Sequence, residues 1–130
     1  MKKFILLFIL SLTIGIVNAQ KVKLKKGDVI VDGESCLNYE STDSDNFKIS
    51  TKDGSQTILL KYKRTGVGYN DGVYLKIIFV ELDKSLTSRL IRMTNKRLVK
   101  KFISDGLIVD CKFNPEEIEK FVKMYDQQIE

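Results

Sequence analysis

The sequence predicts an α+β fold: an antiparallel β-meander of about five to seven strands followed by two C-terminal amphipathic helices. Three observations carry this. Asp32-Gly33, Asp53-Gly54 and Asp71-Gly72 punctuate apolar runs, and Asp-Gly is a strong hairpin signal because glycine accepts the positive φ of tight turns. The runs between those pairs alternate in polarity, as half-buried strands do. Beyond residue 93 the apolar spacing changes to the helical period, and Asn114-Pro115-Glu116-Glu117 reads as a helix start.

The first segment, residues 1–19, reads as a signal peptide. Lys2 and Lys3 precede an apolar run from Phe4 to Val17, and Val17-Asn18-Ala19 suits a signal peptidase, so cleavage is expected between Ala19 and Gln20. The run is shorter than the roughly 20 residues of a membrane span, so no transmembrane anchor is expected after cleavage. Residues 20–130 then form a single domain, periplasmic or secreted.

Lys21 to Leu24 is expected as an edge strand, its lysines suiting an edge. Asp28 to Val31 and Ser35 to Glu40 flank Asp32-Gly33. A two-residue turn there pairs Val31 with Glu34, Ile30 with Ser35 and Val29 with Cys36, and puts Ile30, Leu37 and Tyr39 on the core face. Asn46 to Thr51 alternates with Phe47 and Ile49 inward. Thr57 to Arg64 follows, with Ile58, Leu60 and Tyr62 on one side. Val73 to Leu82 is apolar on both faces and reads as a central strand. Ser85 to Met93 reads as a further strand.

The first helix is expected over Asn95 to Ser104, capped by Thr94, with Leu98, Val99, Phe102 and Ile103 as its apolar stripe. Gly106 ends it, and Leu107 folds back on Phe102. The second begins at Asn114, with Pro115 in its first turn and Glu117 reaching back to the cap. Ile118, Phe121, Val122 and Tyr125 form its stripe.

Composition narrows the chemistry. The chain has no histidine, which removes the usual general base near neutral pH, Ser-His-Asp and Cys-His machinery, and the commonest zinc ligand. Carboxylate, lysine or tyrosine chemistry stays open. Removing Lys2 and Lys3 from 22 basic residues against 17 acidic ones leaves a net charge of +3, short of a nucleic-acid binder. No cofactor, metal or catalytic residue is indicated.

Four features invite a functional reading. Lys96, Arg97, Lys100 and Lys101 form a basic face opposite the first helix's apolar stripe; it either docks on an anionic surface or is an ordinary solvated face. Lys61, Lys63 and Arg64 add charge that the sequence does not place. Cys36 and Cys111 either pair in an oxidising compartment or remain buried thiols. The glycine-rich Arg64 to Gly72 segment lies between strands and lacks a Gly-Lys-Ser/Thr, so it reads as a hairpin loop. Asp43, Asp45 and Asn46 lack the glycine and terminal glutamate of a calcium loop and read as a solvated turn.

Val31-Asp32-Gly33, then Leu37-Asn38-Tyr39-Glu40, then Phe47-x-Ile49 running into Asp53-Gly54, resembles a group of small exported proteins from Bacteroidota. So does the ending Leu107-Ile108-Val109-Asp110, Phe113-Asn114-Pro115-Glu116 and Glu119-Lys120-Phe121-Val122. Gln20 after the cleavage site is similar to signal peptides of that phylum. Cys111 stands where the pattern carries glycine. The resemblance implies fold and export and carries no catalytic residue. The expected function is an exported, non-enzymatic binding domain of unknown ligand, its partner an envelope protein or anionic surface. The alternatives are an envelope assembly or stress protein, and a histidine-independent enzyme.

Overall fold

The structure is a computed structural model describing residues 20–130; the expected signal peptide over residues 1–19 lies outside them. Seven antiparallel strands form one meander, each hydrogen-bonded to its neighbours in chain order: β1 (Val22–Lys25), β2 (Asp28–Val31), β3 (Glu34–Asp43), β4 (Asn46–Thr51), β5 (Thr57–Arg64), β6 (Val73–Phe79) and β7 (Lys84–Ser88). Then come α1 (Asn95–Ser104), a small hairpin of β8 (Ile108–Val109) and β9 (Lys112–Phe113), and α2 (Pro115–Tyr125). The α+β class agrees with the sequence reading, and the element order departs from it by the β8–β9 hairpin between the helices.

The meander forms because most of its connections are short and chemically suited to a tight turn, the loop between β5 and β6 being the longest. Lys26-Gly27 and Asp32-Gly33 both hold two successive left-handed residues, which matches the right-handed twist of a hairpin. At Gly72, φ is +66° and a Cβ would fall 1.9 Å from Thr65 Oγ1, so only glycine fits between β5 and β6.

One sheet face carries the core. Leu37, Phe47, Ile49, Ile58, Leu60, Leu75, Ile77, Phe79 and Leu86 are buried against Leu98, Val99 and Phe102 of α1 and Ile118 and Phe121 of α2. Phe102 and Phe121 meet edge to face at 5.7 Å, joining the helices to each other.

Several expectations are corrected. A β-bulge lies between β2 and β3: Ile30 pairs with Ser35, but Val29 pairs with Leu37 rather than Cys36. The extra residue, Cys36, changes the facing of everything before it. Val29 is therefore inward and fully buried, whereas Ile30 lies outward beside Lys23. The bulge lets Cys36 and Leu37, adjacent in sequence, both be buried. β6 stops at Phe79 and lies second from the edge, not at the centre. The strand expected over Ser85 to Met93 ends at Ser88, where the chain bends so that Ile91 turns inward and Leu90 outward.

Both helix starts stand as read, with one difference. Thr94 Oγ1 accepts from Arg97 N–H at 3.4 Å, and Asn114 Oδ1 accepts from Glu116 N–H at 3.2 Å. Glu117 does not reach back to the cap; its carboxylate meets Lys120 at 3.3 Å, one helical turn ahead. At the end of α1, Leu107 N–H bonds Phe102 O at 2.8 Å and Gly106 N–H bonds Ile103 O at 3.1 Å, the paired closure expected of a glycine-ended helix.

The β8–β9 hairpin went unread in the sequence. Asp110 and Cys111 form its turn with φ of 51° and 63°, a left-handed pair in which glycine would usually stand second. Cys111 is bonded to Cys36 across a separation of 75 residues, with the two Cα atoms 5.1 Å apart. The two-cysteine alternative thus resolves to a disulfide, and it ties the hairpin to the bulge.

Candidate functional site

Strand alternation puts a second set of side chains on the sheet's other face. Lys48 of β4, Leu59, Lys61 and Lys63 of β5, and Tyr74, Lys76 and Ile78 of β6 all lie there. Cross-strand pairing aligns Lys48 with Leu59 and Leu59 with Ile78, Lys61 with Lys76, and Lys63 with Tyr74. The helices pack on the opposite side. A shallow depression of about 260 Å³ is lined by Glu40, Asn46, Lys48, Leu59 and Lys61.

Lys61 and Lys76 are like charges directly opposite each other, an arrangement that destabilises a strand pair unless an anion answers it. Glu130 answers it in part. Its carboxylate accepts from Lys76 Nζ at 2.6 Å, Lys63 Nζ at 2.9 Å and Tyr74 Oη at 2.8 Å. Those hydrogen bonds, that of Lys76 foremost, hold the Glu130 carboxyl down at about 2. The same contact pushes the Tyr74 phenol up, because a carboxylate beside it disfavours a phenolate. The Tyr62 phenol is also raised, by burial, while it donates to Met93 O. Both shifts run against a tyrosine acting as a base near neutral pH.

Glu130 arrives on a segment that closes the β7 edge. Thr87 N–H donates to Asp126 Oδ1 at 3.1 Å, Thr87 O accepts from Gln127 N–H at 2.8 Å, and Thr87 Oγ1 accepts from Ile129 N–H at 2.7 Å. Arg89 N–H donates to Gln127 Oε1 at 2.7 Å. Open edge groups that would otherwise invite another strand are thereby occupied.

The basic face read on the first helix is smaller than expected. Lys96, Arg97 and Lys100 are exposed on α1. Lys101 is half-buried and turns toward α2: its Nζ lies 3.0 Å from the Asp105 carboxylate and 4.7 Å from the Tyr125 ring centroid. Contact with Tyr125 and then with Asp105 raises its pKa, so it serves the packing of the two helices. Lys61 and Lys63 do not extend this face, since they lie on the far side of the sheet. Arg64 is paired with Asp45 at 3.2 Å.

The remaining candidates are structural. Asp43 Oδ1 accepts from Asp45 N–H at 2.8 Å and from Asn46 Nδ2 at 3.0 Å, so it closes its own turn. Among the described residues, no three or more Cys, Asp or Glu side chains converge as a metal cluster would require. The Arg64 to Gly72 segment is a hairpin loop between β5 and β6, with Tyr69 at its tip 84% exposed. Among the described residues no helix is long and apolar enough to cross a membrane.

Sequence reasoning missed the cradle of Lys63, Tyr74 and Lys76. A signal was present: Lys61-x-Lys63 and Tyr74-x-Lys76 alternate with Leu60, Tyr62, Leu75 and Ile77, which places them on one outer face. Reading Val73 to Leu82 as apolar on both sides concealed it. No local signal pointed to Glu130, whose partners lie 54 to 67 residues away in sequence. Comparison with protein-family models, curated proteins and solved structures gave no match, so the geometry alone carries the functional argument.

Proposed function

We propose that this chain is a small exported binding domain without catalytic activity, and that the outer face of its sheet meets an anionic partner in the cell envelope. One observation carries the reading. Lys48, Lys61, Lys63 and Lys76 share a sheet face that, among the described residues, no helix covers, set around the apolar side chains of Leu59 and Ile78. Opposite-charge complementarity of this kind steers association and selects partners more than it sets affinity. The mild net charge fits a local basic field rather than a molecule that is basic throughout.

Assembly through a sheet edge is the less supported alternative. The β7 edge is occupied by Asp126–Ile129, and the β1 edge carries Lys23 and Lys25, which oppose edge-to-edge pairing. A histidine-independent enzyme would need a carboxylate or phenol free to titrate. Glu130 is tied by three donors, and the Tyr62 and Tyr74 phenols are both raised.

The test is binding of the exported protein to polygalacturonate and to phosphatidylglycerol vesicles, at about 50 and about 300 mM salt, conditions that bracket strong and weak screening. Binding at low salt is expected, with loss at high salt and in the Lys48→Glu/Lys61→Glu variant. Absence of binding at low salt, or indifference to the charge reversal, would refute the reading.

A further inference from the structure

The β7 edge and the Lys63–Tyr74–Lys76 cradle form one continuous groove, and Asp126–Glu130 lies in it. The segment is held mainly through side chains: Gln127 N–H to Thr87 O is its backbone pairing with the edge, and Gln128 is left-handed, with φ of 50°. Gln127 N–H meets Thr87 O, Ile129 N–H meets the Thr87 hydroxyl, the Gln127 side-chain oxygen accepts from Arg89 N–H, and the Glu130 carboxylate sits among Lys63, Tyr74 and Lys76. Asp126 caps the edge by accepting from Thr87 N–H, and four residues later Glu130 fills the cradle. The pattern read by the groove is therefore two acids four residues apart.

The segment is fixed by hydrogen bonds to Thr87 and Tyr74, both of which are buried on the outer face. Gln127 and Gln128 are exposed and Ile129 is only half-buried, whereas Ile118 and Phe121 of the preceding helix sit in the core. The segment lies outside the apolar core, so it can open locally while the rest of the domain stays folded. The cradle also carries more positive charge than its occupant neutralises. Lys63 and Lys76 share one carboxylate, and Lys61 stands directly across from Lys76.

We propose that this groove is a binding site for an acidic peptide segment supplied by a partner protein, and that Asp126–Glu130 is a built-in occupant displaced when the partner binds. The proposal rests on the outer face being the binding surface, and it names the partner and the regulation of that face. Charge complementarity selects the acid, and Thr87 and Arg89 on the β7 side set the register of the segment that carries it. The chain's own segment acts as a competitor of high effective concentration that sets a threshold for the partner.

The test uses a fluorescent peptide, Tyr-Asp-Gln-Gln-Ile-Glu, and a control ending in Gln, titrated into the exported full chain. The opened variant is Gln127→Pro/Glu130→Ala, which removes both the N–H that meets Thr87 O and the carboxylate that fills the cradle. It is expected to bind the acidic peptide at least about tenfold tighter than wild type. The control peptide should lose that gain, as should the opened variant when it also carries Lys63→Ala/Lys76→Ala. Equal binding by wild type and the opened variant, or equal binding of both peptides, overturns the groove. Polygalacturonate binding measured alongside separates the two readings. If it persists without peptide binding, the groove alone fails; if neither ligand binds, the outer-face reading fails too. Should circular dichroism show the double variant unfolded, Glu130→Ala alone carries the test, with the same direction and a smaller gain.

Discussion

Leu59 and Leu60 are neighbours on β5 and point to opposite sides of the sheet. Leu60 is 1% exposed, packed among Phe47, Ile77 and the helices. Leu59 is half-buried among lysines, between Lys48 and Ile78. The same residue type thus does two jobs one peptide apart. The inner face stabilises by removing apolar surface from water, at roughly 25 cal/mol per Å². The outer face keeps Lys48, Lys61 and Lys63 only partly buried, while Tyr74 and Thr87 are buried there. Conversely, the disulfide belongs to the inner architecture, while the polar segment carrying Glu130 belongs to the outer. One tether is covalent, the other a set of hydrogen bonds and ion pairs.

The sharpest test of that division is the covalent tether. Replacing Cys36 and Cys111 together by serine is expected to cost about 4 kcal/mol, because the bridge closes a loop spanning 75 residues in the unfolded chain. Denaturant melts read the loss, and thiol counting on unfolded, non-reduced wild type should find no free thiol. Next come the two leucines. Leu60→Ala should cost about 2–5 kcal/mol, with a cavity term added to the lost burial. Leu59→Ala should cost no more than about 1 kcal/mol. Equal losses would mean that the outer face is covered in the native protein.

Capping gives a smaller effect on the inner side. Asn114→Ala should cost about 1 kcal/mol, since Glu116 N–H loses its acceptor and no capping box compensates. Glu130 provides the outer-side counterpart and a pH signature. Its folded carboxyl is held at about 2, below the ordinary 4.5, so its stabilisation is present above about pH 4.5 and is lost as pH falls toward 2. Glu130→Gln should therefore melt slightly below wild type at neutral pH, with the gap closing between pH 4.5 and 2. The partial exposure of the pair keeps the gap small, and added salt should narrow it. The smallest effect is expected on α1. Reversing Lys96 and Lys100 to glutamate should leave stability within about 0.5 kcal/mol, because both are exposed. If the reversal also leaves polygalacturonate and vesicle binding unchanged, the binding charge lies on the sheet and not on α1.

The sequence by itself determined the features whose causes lie within a few residues. The bounds of β4, β5 and α1 follow from local alternation, from the turn at Asp53-Gly54, and from the Thr94 cap and Gly106 stop. These need only steric φ preferences and the nearest hydrogen-bond partner. Tertiary structure decided everything that depended on a distant partner. The Cys36 bulge flips Ile30 outward because it aligns β2 against the core and brings Cys36 within bonding reach of Cys111. The β8–β9 hairpin is two residues a side, too short for periodicity to reveal, and its turn carries cysteine where glycine would have announced it. Lys101, patterned as surface charge, was drawn to Tyr125 only once the two helices met. The cradle assembles from β5, β6 and residue 130, and no window of sequence contains all three. Its physical cause is the β5–β6 register, which sets Lys63 opposite Tyr74 with Lys76 on the same face, so that a distant carboxylate meets two ammonium groups and a phenol.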